Sequence, residues 1–195
     1  MQVDNSSFDN SHFNPGRGIL TRLIWYYVNA IFFKSYIFPF YRIKASILRL
    51  FGASIGVNFV IKPNVNIKYP WHLFIGDNVW VGEGCWIDNL VKVELADNVC
   101  VSQGALLLTG NHNYSNSTFD LITKSIVLEN GVWIGAKATV CPGVTCKSHA
   151  VLSVGSVATS NLDAFTIYSG VPARPVRDRK IGHEQLPDVD QVSKR

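Results

Sequence analysis

Five histidines and four cysteines are the residues of this 195-residue chain most able to move protons or hold metal. An imidazole titrates near neutrality, so it can both take and give a proton. His112 stands in a polar stretch, LTGNHNYSNSTFDLITKSIV (108–127), flanked by Asn111 and Asn113. His72 sits in a short turn, Pro70-Trp71-His72, where it reads as structural, with a place in a groove as the alternative. His149 reads as solvated at a corner. His12 and His183 lie in the terminal segments. Cys85 and Cys146 read as small apolar residues, and Cys100 and Cys141 lack metal-ligand spacing. No metal is expected. Free thiols, together with a polar, acid-bearing start unlike a signal peptide, point to the cytoplasm.

What positions these residues is a repeat. An apolar or small residue recurs every six positions: Ile55, Ile61, Ile67; Ile75, Val81, Ile87; Leu95, Val101, Leu107; Leu128, Ile134, Val140; Cys146, Leu152, Ala158. Four residues after most of them lies a second such position, among them Phe59, Val65, Val79, Cys85, Val91, Val99 and Ala105. Between the two stand turn formers such as Pro63-Asn64, Asp77-Asn78, Asp97-Asn98, Asn130-Gly131 and Pro142-Gly143. A period of six fits neither an amphipathic helix nor simple alternation. It fits short strands joined by corners, three strands to a coil, with coils stacked at about 4.8 Å. The expectation is an all-β solenoid over 53–163, of four to five coils. The period slips at Pro70–Phe74 and Asp88–Lys92, and breaks fully at 108–127, which must leave the stack as a loop.

Outside the repeat the composition changes. Residues 1–54 hold six Lys/Arg against Asp4 and Asp9, residues 55–163 six Lys against eight acids, and residues 164–195 six Lys/Arg against four acids. The segment 23–41 carries nine of the 23 aromatics. The expected arrangement is an N-terminal helical segment (1–52, two helices broken near Pro39), the solenoid, and a C-terminal segment and tail (164–195). The helices either pack on the solenoid or a neighbouring subunit, or lie on a membrane surface through residues 17–51; a full membrane span is the remaining alternative, against which Asn29, Lys34, Ser35 and Pro39 stand. With 47% hydrophobic and 16% charged residues, disorder is excluded. A net charge of +4, concentrated at the two ends, gives no reason to expect nucleic acid.

The hexapeptide run, the His-bearing loop and the stretch GVWIGAKATVCPGV…GSVATSNLDAFTIYSGVPARPV resemble the acetyltransferases of the galactoside and maltose acetyltransferase group. The resemblance extends in particular to the branch associated with colanic acid and related exopolysaccharide biosynthesis. It implies a left-handed parallel β-helix, although the general rule for parallel crossovers would give the opposite hand. It implies a homotrimer with acetyl-CoA as co-substrate in a groove between prisms. His112 matches the catalytic His, a general base for direct attack of a hydroxyl on the thioester. Trp133, Gly135, Ala136, Val154, Thr159, Ser160, Arg174 and Arg177 match coenzyme contacts, the arginines near its phosphates. Ala136 stands where a Ser is found in the galactoside enzyme, and Ser160 where a Lys is common.

On the acceptor side the sugar-binding pattern is not kept, because Gly82 and Leu90 replace its Asn and Asp. Asp88, Asn89, Asn111 and Asn113 are the polar candidates that remain. The implied reaction is O-acetylation of a sugar hydroxyl in surface polysaccharide synthesis. A different small acceptor, of antibiotic or amino-acid type, and a non-catalytic trimeric scaffold are the alternatives. A γ-type carbonic anhydrase on the same fold would need further His ligands, and Asn113–Ser117 supplies none.

Overall fold

The computed structural model describes residues 4–182. His183 and the rest of the C-terminal tail lie outside the described residues.

The six-residue period becomes a parallel β-helix with three sheets. Sheet A stacks Ser54–Ile55, Leu73–Ile75, Val93–Leu95, Ile126–Leu128 and Thr145–Cys146. Sheet B stacks Val60–Ile61, Trp80–Val81, Cys100–Val101, Trp133–Ile134, Val151–Leu152 and Thr166–Gly170. Sheet C stacks Asn66–Ile67, Trp86–Asp88, Leu106–Leu108, Thr139–Val140 and Val157–Ala158. Residues 20 apart pair in the first coils, for example Ile61 with Val81 and Val81 with Val101. Five coils are complete, and a sixth is begun by the Cys146–Leu162 bridge and the Thr166–Gly170 strand. The sequence expectation of four to five coils is therefore short by this partial turn.

The inward column is the core. Of the fifteen six-period residues all but Ile55 are buried. Ile55 is half-buried because it belongs to the first coil, whose outer side meets only the end of a helix. One expected second position moves. Val91 is half-buried and Val93 takes its inward place, because the extra residues at Asp88–Lys92 shift the phase. Cys85 and Cys146 are buried, and burial pushes their thiols up to about 11 and about 12, so both stay protonated and inert at neutral pH.

The corners explain the turn formers. Asn58, Asn78, Asn98, Gly131, His149 and Phe165 form a column at the A-to-B corner, all with φ between 54 and 68 except Phe165 at 51. This left-handed conformation favours Asn and Gly. His149 corrects the solvated reading. Its ring stacks on Phe165 at 4.6 Å and 5°, and it fills the space beside Gly131, where any Cβ would lie 2.7 Å from the ring.

Two helices, Ile19–Val28 and Tyr41–Leu50, close the lower end of the prism, with a π-turn Asn29–Phe33 following the first. Proline at 39 lies in the irregular link between them, where it cannot break a helical hydrogen bond. Trp25, Phe33 and Leu48 are buried against the first coil, and the Trp25 indole donates to the Ile67 carbonyl at 2.9 Å. Lys44 is also buried. Its Nζ reaches the Lys62 carbonyl at 3.4 Å, and burial pushes its pKa down.

At the other end, the C-terminal segment joins the solenoid over residues 164–178. Ala173–Asp178 folds back antiparallel on Thr166–Gly170 and adds a last strand to sheet B. The hairpin covers the open edge that the final coil would otherwise present.

Candidate active site

The added hairpin walls a large groove. About 1010 Å³ in volume, it runs over the upper part of sheet B and the corner leading to sheet C. Its floor is Trp133, Gly135, Ala136 and Val154, and the hairpin forms its wall with Arg177, Arg179 and Lys180. Trp133 points outward from its strand because Ile134 points inward, and its indole donates to Ser102 Oγ at 2.9 Å. Gly135 is required by contact. A Cβ there would lie 2.6 Å from the Val154 nitrogen and 2.8 Å from the Leu152 carbonyl oxygen, forcing adjacent coils apart. A flat aromatic face, small floor residues and three cations against the single Asp178 carboxylate at one end suit a long ligand with an apolar arm and an anionic head.

Five of the eight positions expected to contact a coenzyme line this groove: Trp133, Gly135, Ala136, Val154 and Arg177. Three do not. Thr159 and Ser160 are exposed on the C-to-A corner, one side of the prism away. Arg174 is exposed at the start of the last strand, and its guanidinium turns back to its own neighbour's carbonyl, that of Ala173, at 3.1 Å. The sequence reading missed Arg179 and Lys180. Arg179 is anchored by bonds to the Gly131 and His149 carbonyls at 2.8 and 3.1 Å, which hold the hairpin against the corner column. Arg177, Arg179 and Lys180 stand together around Asp178 in the sequence, but which of them face the groove depends on the strand pairing.

His112 lies elsewhere. The 108–127 stretch leaves the stack after Leu106–Leu108 in sheet C and returns at Ile126–Leu128 in sheet A. Between them it forms a small antiparallel hairpin in which His112 pairs with Leu121. The His112 ring stacks on Phe119 at 4.3 Å and 5°. Its Nδ1 is 3.0 Å from the Phe119 carbonyl oxygen. That oxygen can only accept, so Nδ1 carries the proton and Nε2 keeps its lone pair. The half-buried imidazole is thus fixed in the tautomer that leaves Nε2 able to accept a proton. Phe119 itself has φ +50, a conformation unusual for an aromatic residue.

The N-terminal segment lies across this loop. Asp4 N–H donates to the Ser117 carbonyl at 2.9 Å, His12 Nε2 meets the Leu121 carbonyl at 2.8 Å, and Phe8 lies 5.7 Å from the His112 ring. His12, which had no context in the repeat, is therefore a strap contact.

The expected acceptor residues divide. Asn111 is exposed, and its Oδ1 accepts the His112 N–H at 2.8 Å. Asn113 is half-buried and turns back to Ser115 N at 3.3 Å. Asp88 is half-buried at the root of the loop, its carboxyl pushed up by burial and drawn back by Lys68. Asn89 is a correction. It is fully buried, with Oδ1 accepting from Tyr69 N at 3.0 Å and Nδ2 donating to the Tyr69 carbonyl at 2.6 Å, so it clamps two coils and presents no surface to a ligand. His72 is half-buried beside Tyr69 and Trp71, with burial pushing its pKa down, a structural setting away from the groove. Among the described residues no group of three or more His, Cys, Asp or Glu stands where it could hold a metal ion.

Comparison with known proteins fits this geometry. WcaF of Escherichia coli K12, named for colanic acid biosynthesis as an acetyltransferase, is 35% identical over 167 residues, which is 86% of this chain and 91% of WcaF. The chain belongs to the hexapeptide-repeat acetyltransferases. Its reaction class is accordingly acetyl transfer from an acyl-CoA donor to an oxygen. The solved structure of a galactoside acetyltransferase in complex with coenzyme A superposes with a TM-score of 0.73 at 25% identity, covering 83% of this chain and 82% of that one. A hexapeptide-repeat acetyltransferase of Vibrio cholerae shares the fold with a TM-score of 0.75, at 20% identity over 83% of this chain and 92% of its own. No family model matches the chain. The fold of this hexapeptide-repeat acetyltransferase is the parallel β-helix expected from its sequence.

Proposed function

We propose that this acetyltransferase takes its acetyl group from acetyl-CoA held in the sheet B groove. It passes the group to a sugar hydroxyl of a surface polysaccharide or its precursor, with His112 as general base. The observation that carries the reading is the Phe119 carbonyl on His112 Nδ1, because it leaves Nε2 free for a proton. In this reading Nε2 takes the hydroxyl proton as the oxygen forms its bond to the thioester carbonyl carbon. The C–S bond then breaks, and the same proton passes to the departing thiolate, so no acyl-enzyme is formed. The polysaccharide acceptor rests on the likeness to WcaF.

The same reading calls for a homotrimer. The groove follows sheet B, and the loop leaves at the corner between sheets C and A, so a whole side of the prism separates them within one chain. A six-residue side spans up to about 20 Å. His112 of one copy would then serve the groove of another. The test is acetyl transfer by the purified chain to a panel of glycosides, with an aminocyclitol antibiotic and an amino alcohol as controls. Trp133→Ala should weaken coenzyme A binding about tenfold, or about 1.4 kcal/mol, in calorimetry. Unchanged binding would remove coenzyme A from this groove.

A contact with the inner face of the membrane belongs to this reading. No helix among the described residues is long and apolar enough to cross a membrane. The cap nevertheless exposes Ile19 at 77% and Ile37 at 91%, with Leu20, Leu23, Tyr26 and Tyr27 between them. Arg17 and Arg42 flank these residues in the sequence. The full chain should float with anionic vesicles, less so at high salt, and the Ile19→Gln, Ile37→Gln double variant should stay in solution. Equal flotation of both, or none by the full chain, would remove this apolar face from membrane contact.

A further inference from the structure

A second concavity lies between the helical cap and sheet C, on the side of the prism that leads to the His112 loop. It encloses about 310 Å³ and is lined by Arg22, Lys34 and Lys68, with Trp25, Tyr26 and Trp86 as aromatic walls. None of the three cations has a carboxylate within 4 Å among the described residues, and Arg22 Nε is buried without a hydrogen-bond partner. The surrounding sequence explains this: residues 10–76 contain eight Lys/Arg and no Asp or Glu. Three like charges around one concavity repel each other, and a buried guanidinium nitrogen without an acceptor costs free energy. An anion with several acceptor oxygens relieves both.

The register relates this pocket to the proposed base. Asn66 and Ile67 pair with Trp86 and Ile87, which brings Lys68 alongside Asp88, and Asp88 pairs with Leu108. Lys68 therefore stands two coils below the point where the chain departs for His112, about 10 Å along the axis at the usual strand spacing. Lys68 draws the neighbouring Asp88 carboxyl down against the effect of its burial, and the two form no ion pair. The first helix, which supplies Arg22 and Tyr26 to the pocket, presents Leu23, Tyr27 and Ile24 to the outside.

We infer that the pocket holds the phosphate of the acceptor, so that the glycan to be acetylated is joined through a phosphate or diphosphate to its carrier. The inference rests on the acetyl-transfer reading for its purpose, but not for its test. Phosphate held by Arg22, Lys34 and Lys68 would fix one end of the acceptor while a sugar hydroxyl further along reaches Nε2 of His112. Neither a neutral oligosaccharide nor a simple galactoside supplies such an anchor.

The experiment is calorimetry on the full chain with four probes: inorganic pyrophosphate, glucose 1-phosphate, glucose, and an isoprenyl diphosphate in neutral detergent micelles. The phosphate-bearing probes should bind and glucose should not. The Lys34→Gln, Lys68→Gln double variant alters two exposed side chains and should keep its melting temperature. It should lose at least tenfold in affinity for those probes and retain its affinity for coenzyme A. His112→Ala should bind the phosphates like the unmodified chain, which separates this inference from the fate of the general base. Tighter binding of the isoprenyl diphosphate than of glucose 1-phosphate supports a lipid-borne carrier, and equal binding supports a soluble sugar phosphate. No binding, equal binding by the double variant, or complete displacement by saturating coenzyme A would overturn the inference. Displacement would place the phosphate in the sheet B groove.

Discussion

Replacing His112 by Ala is expected to lower kcat by about 10²–10⁴ while leaving the affinity for coenzyme A unchanged. An alcohol is a weak nucleophile at neutral pH, and it attacks a thioester well only if its proton leaves as the bond forms. The imidazole is set for that task by neighbours rather than by sequence alone. The Phe119 carbonyl fixes the Nδ1 proton, the Phe119 ring fixes the plane, and Asn111 Oδ1 holds the His112 N–H. Because the loop is distant from the groove within one chain, the substitution removes no coenzyme contact of its own subunit. Steady-state kinetics with an active acceptor, together with calorimetry of coenzyme A, gives both numbers. A kcat within threefold of the unmodified enzyme would sink the assignment. A parallel loss of coenzyme binding would show that the residue serves the fold or the subunit contact.

The largest effect on stability is expected at the middle of the inward column. Leu107 is completely buried, paired with Ile87 in the coil below and Val140 in the coil above. Leu107→Ala should cost about 2–5 kcal/mol, because neighbours held by coil-to-coil hydrogen bonds cannot close the cavity. In a solenoid each coil is stabilised chiefly by the two it touches, so a defect at the third of five coils weakens both halves. Leu107 also lies just before the chain departs into the His112 hairpin. Chemical denaturation of the purified protein measures the loss. A change below about 1 kcal/mol would mean that the column relaxes around the gap and is less rigid than its burial implies.

Much of this architecture is legible one residue at a time. The six-residue spacing from Ile61 to Ala158 states which side chains face inward, and Asn64, Asn78, Asn98, Gly131 and Gly143 mark corners that take positive φ. The same spacing shows that residues 108–127 cannot stay in the stack, which singles out His112. These features are local. Each depends on a strand geometry with one inward residue and on a corner that only certain residues tolerate, so the chain carries them in its order.

Other features depend on which coils meet, and the order of residues did not reveal them. Asn89 looked like a polar candidate for the acceptor, yet it is spent on the backbone of Tyr69, 20 residues earlier. His149 looked solvated, yet Gly131 and Phe165 from the coils on either side enclose its ring. Thr159 and Ser160 lie off the groove of their own chain, whereas Arg179 and Lys180 line it, because Ala173–Asp178 folds back on the last strand of sheet B. The basic pocket joins residues from 22 to 86 that have no common motif. Sequence determined the coil, its inward column and the loop that must leave it, because these follow from short-range backbone preferences. Only the tertiary structure decided which outward side chains share a surface, because that is set by the register between coils and by the final strand's return.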